Sequence, residues 1–187
     1  MMIYGDGIRL RGIEQSDLVS FVTWLNDPEV REGLAMYLPL SMADEQDWFE
    51  DLQKRPPEER PYLIEVQQDD NTWVGVGNCG FFNINWRIRS AEVGIFIGEK
   101  RFWGRGIGTK VMRLLIQVGF DTLNLNRIRL DVYETNPRAI RTYEKAGFVY
   151  EGRQRQGMYQ NGRYVDVLQM SVLRSEWEEG NAGASRS

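Results

Sequence analysis

The chain has 187 residues, of which 42% are hydrophobic and 27% charged, a composition typical of one globular domain rather than of a disordered chain. Its net charge of −4 disfavours non-specific binding to nucleic acid, and no apolar run is long enough to span a bilayer. One cysteine, Cys79, and no histidine exclude a disulfide framework, a cysteine or histidine metal site and histidine-dependent triads, which leaves carboxylates, tyrosine, lysine and water for proton transfer.

The first third of the chain predicts a short strand followed by two amphipathic helices. The strand is Ile8–Gly12. Ser16 or Asp17 can cap a helix that runs to about Leu25, where an Asn-Asp-Pro run stops it. Ser41 begins the second helix, which carries acidic residues in its first turn, and two consecutive prolines end it.

The pattern then changes to strands rich in β-branched and aromatic residues. The predicted strands are Tyr62–Gln67, Trp73–Asn83 and Ser90–Ile97. A glycine-bearing loop, Gly98–Gly108, opens into a helix from Thr109 to about Leu123.

The last third alternates between strand and helix and ends in a hairpin. Arg127–Val132 is a strand, and the following helix has Asn136 as its N-cap and Gly147 as its C-cap. The closing strands, Phe148–Gln156 and Arg163–Leu173, are joined near an Asn-Gly pair typical of hairpins. Strand pairs combined with a strand–helix–strand crossover predict a mixed sheet with helices packed on it.

Three glycines at alternating positions, Gly104, Gly106 and Gly108, precede the predicted helix. Without side chains the backbone can approach a ligand, and the N–H groups that open the helix offer it the positive end of the helix dipole. This suits a diphosphate, to which Arg105 and Lys110 can add positive charge. The run matches neither the dinucleotide-binding fingerprint nor the Walker A motif, and an ordinary glycine turn is the alternative.

The second notable run is the helix that follows Asn136. Tyr143 lies seven residues after Asn136 in the sequence, about two helical turns along, so the two share nearly the same face. Each residue also has a structural explanation: Asn136 as a helix cap, and Tyr143 as a core side chain.

Together, the glycine run and the run Asn136…Ala139…Tyr143-Glu144-Lys145…Gly147-Phe148 resemble the GNAT N-acetyltransferase superfamily. Within it, the chain looks most like the branch of ribosomal-protein alanine and spermidine N-acetyltransferases. The resemblance implies an α/β fold with a mixed, mostly antiparallel twisted sheet of about seven strands flanked by about four helices. In this fold Ser90–Ile97 and Arg127–Val132 are the fourth and fifth strands, which splay apart. We expect a single domain over residues 1–176 and a flexible tail over residues 177–187.

The resemblance also implies that acetyl-CoA is the cosubstrate and that no metal takes part. Trp103 stands where the family often has Arg or Gln, so we expect positive charge to come from Arg101 or Arg105. The residues expected to contact acetyl-CoA are Ile95, Phe96, Ile97, Trp103, Gly104, Arg105, Gly106, Ile107, Gly108, Thr109, Asn136, Ala139, Tyr143 and Lys145.

By the same resemblance an amine would attack the thioester directly. Tyr143 would protonate the departing thiolate, and Glu92 would be the base, directly or through water. The alternative for Glu92 is an exposed strand carboxylate without a catalytic part.

We therefore predict a cytoplasmic N-acetyltransferase that uses acetyl-CoA. Its acceptor would be a primary amine, such as a protein N-terminus, a polyamine or another small amine. The chain begins with no basic, apolar leader, and related proteins are often dimers or larger. The alternatives are a non-catalytic acyl-CoA-binding sensor or interaction protein, and a generic nucleotide binder.

Overall fold

A computed structural model describes residues 2–34 and 36–184, and within them it has eight strands and six α-helices. The strands are β1 (Ile3–Tyr4), β2 (Ile8–Gly12), β3 (Tyr62–Gln67), β4 (Trp73–Asn85), β5 (Ser90–Ile97), β6 (Arg127–Tyr133), β7 (Val149–Gln160) and β8 (Arg163–Leu173). The helices are α1 (Leu18–Leu25), α2 (Pro28–Arg31), α3 (Met42–Lys54), α4 (Ile107–Gln117), α5 (Pro137–Ala146) and α6 (Arg174–Ala184).

Hydrogen bonding gives the strand order β1-β2-β3-β4-β5-β6-β8-β7. β5 and β6 run parallel, whereas the other pairs with a defined register are antiparallel. The predicted mixed, mostly antiparallel α/β fold is confirmed, with eight strands instead of about seven and six helices instead of about four.

The chain divides into two compact units. The first comprises Met1–Phe82 and Gly94–Val111, and the second comprises Asn83–Val93 and Met112–Ser187. The single domain over residues 1–176 stays a prediction. Residues 185–187 of the predicted tail lie outside the described residues, and α6 occupies the segment before them.

The first unit has an aromatic core centred on Phe21, which is fully buried. The Phe21 ring makes edge contacts with Trp24, Trp48 and Phe96 at centroid distances of 5.7, 5.9 and 6.3 Å. Each ring projects from the apolar face of its own helix or strand. Their contacts therefore hold α1, α3 and the end of β5 together. Cys79 is buried on β4, and burial raises the pKa of its thiol.

The second unit has its core on one face of β6. Ile128 and Leu130 are buried, and they lie opposite Val172 and Met170 on β8. The intervening residues of β6 point to the other face because side chains alternate along a strand. This other face of β6 carries the charged side chains of Arg127, Arg129 and Asp131.

Several predicted boundaries and caps are corrected by the structure. A 3₁₀ turn, Gln15–Asp17, precedes α1. Asp17 occupies the N-cap position of α1, but its carboxylate makes no cap hydrogen bond to that helix and instead accepts from both Nη atoms of Arg11 and from Glu14 N, each at 2.8 Å. α4 begins at Ile107, two residues earlier than the predicted Thr109, and continues into a π-helical turn, Val118–Thr122. β1, α2 and α6 were not predicted.

Candidate active site

The glycine loop has the backbone that a left-handed turn requires. Gly104 and Gly106 have φ angles of 74° and 77°, which side-chain-bearing residues rarely adopt. A Cβ atom added to either glycine would meet nothing within 4 Å. Glycine is therefore required by the backbone conformation, and the space beside the loop is open to a ligand.

The first turn of α4 follows this loop directly and contains Gly108 and Thr109. Its first hydrogen bond runs from Lys110 N to Gly106 O at 3.1 Å. The N–H groups of Ile107, Gly108 and Thr109 precede that bond, so helix geometry leaves them without carbonyl partners inside the helix. Together with the helix dipole they form an anion-binding end, and the residues present fit a diphosphate.

The cations near the loop differ in their partners. Lys110 Nζ binds Asp6 Oδ2 at 2.8 Å, and Arg101 Nε lies 3.6 Å from Glu99 Oε1. Arg105 is exposed, and its guanidinium lies 5.6 Å from the centre of the Phe102 ring. Among the described residues no carboxylate pairs with Arg105, which leaves its charge available to a phosphate.

Trp103 anchors the loop to the end of β5. Its Nε1 donates a hydrogen bond to the carbonyl oxygen of Ile97 at 2.7 Å, and its ring packs on the first unit's core. The neighbouring Phe96 ring also belongs to that core. The Phe96 side chain is only partly buried, as are those of Ile95 and Ile97.

The second unit positions the α5 residues. Asn136 Oδ1 accepts a hydrogen bond from Ala139 N at 3.0 Å, so the predicted N-cap is confirmed. Gly147, with φ of 108°, ends the helix as predicted. The carbonyl oxygen of the exposed Lys145 accepts a hydrogen bond from Arg113 Nη2 at 2.7 Å, which ties the last turn of α5 to α4.

Tyr143 is buried, with 9% of its surface exposed, and its ring lies edge-on to Phe148 at 6.0 Å. Burial disfavours the phenolate and raises the pKa of Tyr143 to about 12. The phenol therefore remains a proton donor at neutral pH.

Glu92 is held between two partners of the second unit. Its Oε1 accepts from Asn83 Nδ2 at 3.2 Å and also contacts Arg129 Nη2. Glu92 and Arg129 form the last pair of the β5–β6 ladder, which covers only Ser90–Glu92, although β5 and β6 both continue. The ladder therefore pairs only three residues of each strand.

Sequence reasoning missed the partners of Glu92 and the anchoring role of Trp103. The partners of Glu92 could have been found from the arginines that alternate with buried residues on β6, because this alternation indicates a polar face beside β5. No local signal paired the Trp103 indole with a carbonyl oxygen six residues before it.

A cavity of about 530 Å³ lies in the first unit, between α1 and the start of β4. None of the predicted site residues lines it. Arg11 and Asp17 line this cavity, but they form an ion pair with each other, so neither is free to act as a catalytic group.

Within residues 2–34 and 36–184, no three acidic, cysteine or histidine side chains are grouped so that they could hold a metal ion. Over the same residues, no helix has both the length and the apolar character needed to cross a membrane.

Sequence and structure comparisons relate the chain to known proteins. The sequence profile described as an acetyltransferase (GNAT) domain matches residues 8–149. The chain is 31% identical to the spermidine N(1)-acetyltransferase of Vibrio cholerae over 170 residues, which is 91% of this chain and 95% of that protein. It is 37% identical to the putative ribosomal N-acetyltransferase YdaF of Bacillus subtilis over 102 residues, 54% of this chain and 55% of YdaF. The crystal structure of spermidine N-acetyltransferase from Vibrio cholerae in complex with CoA and spermine superposes with a TM-score of 0.81 at 27% identity, covering 91% of this chain and 98% of that chain.

Proposed function

The chain belongs to the GNAT family of acetyltransferases, and on this premise we propose that its acceptor is a polyamine of the spermidine class. Transfer of an acetyl group from acetyl-CoA to an amine follows from the family and from the relatives together. The acceptor and the roles of individual residues are the proposal. Similarity to a spermidine N(1)-acetyltransferase over more than nine-tenths of both chains carries it.

The glycine loop and the first turn of α4 would hold the diphosphate of CoA. Gly104 and Gly106 turn the backbone, and the N–H groups of Ile107, Gly108 and Thr109 follow them. The charge of Arg105 would supplement these dipoles, because no carboxylate among the described residues neutralises it. When bound, acetyl-CoA supplies an activated thioester, so the chain needs no nucleophile of its own.

Glu92 would remove the proton from the attacking amine, directly or through a water molecule. A primary alkylamine titrates near 10, so its neutral form at pH 7 costs about 4 kcal/mol. A carboxylate at the end of the β5–β6 ladder offsets part of this cost. Asn83 and Arg129 would fix its orientation, since both contact the same oxygen.

Tyr143 would act as the general acid. The amine lone pair attacks the carbonyl carbon, the carbon–sulfur bond breaks with its electrons on sulfur, and the phenol proton neutralises that thiolate. The proton that the nitrogen loses as it becomes an amide would restore the phenol. Burial keeps the phenol protonated, which this role requires. The side-chain nitrogen of Asn136 takes no part in the cap, so it would remain for the pantetheine arm. The backbone of β5, Ala139 and Lys145 would contact the same arm.

A protein N-terminus is the second candidate acceptor, favoured by the likeness to YdaF. An α-amino group titrates near 8, so its neutral form costs only about 1 kcal/mol at pH 7. An enzyme for that substrate depends less on a base. Loss of the Glu92 carboxylate should therefore lower activity more if the acceptor is a polyamine than if it is a protein N-terminus.

The direct test is an acceptor screen that follows free thiol release from acetyl-CoA. It compares spermidine and spermine with a simple monoamine, amino acids, aminoglycosides and short peptides that have free N-termini. We expect the highest kcat/KM for the polyamines. Preference for a peptide would establish the second candidate, whereas CoA binding without turnover of any amine would indicate a non-catalytic sensor.

A further inference from the structure

The outward face of β6 carries a row of charged side chains. Ile128, Leu130 and Val132 are buried on the inward face. Arg127, Arg129 and Asp131 alternate with them and therefore point the other way, and Asp131 is exposed. The carboxylate of Asp131 thus lies on the same face as the Arg129 contact with Glu92.

The two arginines of this row are already neutralised, but the aspartate is not. Glu151 binds Arg127, and Glu92 binds Arg129. No cation or other donor among the described residues reaches the Asp131 carboxylate. Within this row of β6, the Asp131 charge therefore remains unbalanced, and it is positioned to attract a cation.

The position of Asp131 along the strand is also specific. The β5–β6 ladder ends at the Glu92–Arg129 pair, and Asp131 is the next outward residue of β6 beyond that end. Two residues along a strand correspond to about 7 Å. A short alkyl chain between two amines spans a comparable length. One acceptor molecule can therefore reach both the Glu92–Arg129 pair and Asp131.

We propose that Asp131 is a specificity-determining residue that binds an ammonium group of the acceptor other than the one being acetylated. The inference rests on the proposed polyamine function and adds to it a reason for preferring a polyamine to a monoamine. Because the bound ammonium does not react, Asp131 contributes to acceptor affinity and leaves the chemical step unchanged.

The test compares Asp131→Asn with the parent enzyme, using spermidine and a monoamine of similar length as acceptors. We expect the KM for spermidine to rise about tenfold, as for loss of a charge-assisted hydrogen bond. We expect kcat, the KM for acetyl-CoA and the monoamine kinetics to change less than about twofold. Asp131→Glu keeps the charge and should recover part of the affinity. Asp121→Asn, an exposed aspartate on the turn after α4, is the matched control.

The possible outcomes distinguish an error in the role of Asp131 from an error in the proposed acceptor class. If the parent acetylates spermidine and Asp131→Asn behaves like Asp121→Asn, the role of Asp131 is wrong while the acceptor class stands. If monoamine and spermidine kinetics fall equally in Asp131→Asn, the residue is structural and the inference is overturned. If the parent acetylates no polyamine, the proposed acceptor class is wrong and the role of Asp131 with it.

Discussion

Glu92 and Glu151 approach β6 from opposite sides, and each binds an arginine of that strand. Glu92, on β5, contacts Arg129, and Glu151, on β7, contacts Arg127. Glu151 also accepts from Ser171 Oγ at 2.8 Å, and Arg127 lowers its pKa. The two carboxylates therefore make the same kind of ion pair, but of the two only Glu92 lies at the end of the parallel β5–β6 ladder.

This pairing gives a matched test of the proposed base. We expect Glu92→Gln to lower kcat/KM for the amine acceptor, and most strongly at low pH, because there a larger fraction of the amine carries the proton that a base must remove. Glu151→Gln breaks the equivalent ion pair and should leave the shape of the pH–rate profile unchanged. Profiles of both variants and the parent are the measurement. If the profile of Glu92→Gln keeps the parent's shape, Glu92 has no part in proton removal.

A second prediction concerns the glycine loop. Gly104→Ala and Gly106→Ala place a side chain at a left-handed φ, which costs about 1 kcal/mol even though the added Cβ meets no neighbour. We expect the loop to relax away from this conformation and CoA affinity, measured by calorimetry, to fall at least about tenfold.

Gly162→Ala is the control for that prediction, because Gly162 has a similar φ of 81° and equally open surroundings at the β7–β8 hairpin. It should lower stability by a similar amount without changing CoA affinity. Equal CoA affinities in the loop variants and the parent would exclude this loop from the diphosphate site.

Local signals explain which elements could be predicted from the sequence. α5 and the closing hairpin were predicted correctly because their determinants are adjacent in the chain. Asn136 caps α5, and Asn161 and Gly162 have the positive φ angles, 50° and 81°, that a tight hairpin turn requires. The same Asn-Asp-Pro run that ends α1 also starts α2, since Asp27 Oδ1 accepts from Glu29 N at 2.9 Å.

Elements held by distant contacts could not be predicted in this way. α6 begins at Arg174, whose Nε donates to Leu125 O at 3.0 Å, and its Trp177 ring lies 5.5 Å from that of Phe120. Leu125 lies 49 residues before Arg174 in the chain, so no local pattern links the two. The site follows the same rule: its glycine turn was predicted from spacing, but Arg129 as the partner of Glu92 was not.

A third prediction tests the anchor of the loop. Trp103→Phe keeps an aromatic ring but removes the indole N–H, which leaves the Ile97 carbonyl without this donor. We expect the free energy of unfolding to fall by about 1 kcal/mol and CoA affinity to weaken several-fold. Trp86→Phe alters an exposed tryptophan and should change neither quantity. Urea denaturation and calorimetry measure both, and an unchanged CoA affinity in Trp103→Phe would show that the anchor does not position the loop.

A fourth prediction concerns the proposed acid. Tyr143→Phe preserves the ring packed on Phe148, so the fold should persist, but the phenolic proton is lost. We expect kcat to fall at least about tenfold with little change in CoA affinity, which is the mark of an interaction made only in the chemical step. Tyr164→Phe, at an exposed tyrosine, is the control. A turnover rate equal to the parent's would remove Tyr143 from the proton transfer.

The same phenol should also make stability depend on alkaline pH. The pKa of Tyr143 is raised to about 12 in the folded protein, whereas an unfolded tyrosine titrates near 10. Between these values the unfolded chain releases a proton that the folded protein keeps. The stabilisation from the neutral buried phenol is therefore complete below about pH 10 and is lost as the pH rises to about 12, by roughly 3 kcal/mol in total. Tyr143→Phe carries no such proton, so the free energy of unfolding of the parent, relative to that of the variant, should decline over this interval. Urea titrations at successive pH values measure the decline, and a constant difference would contradict a phenol kept neutral by burial.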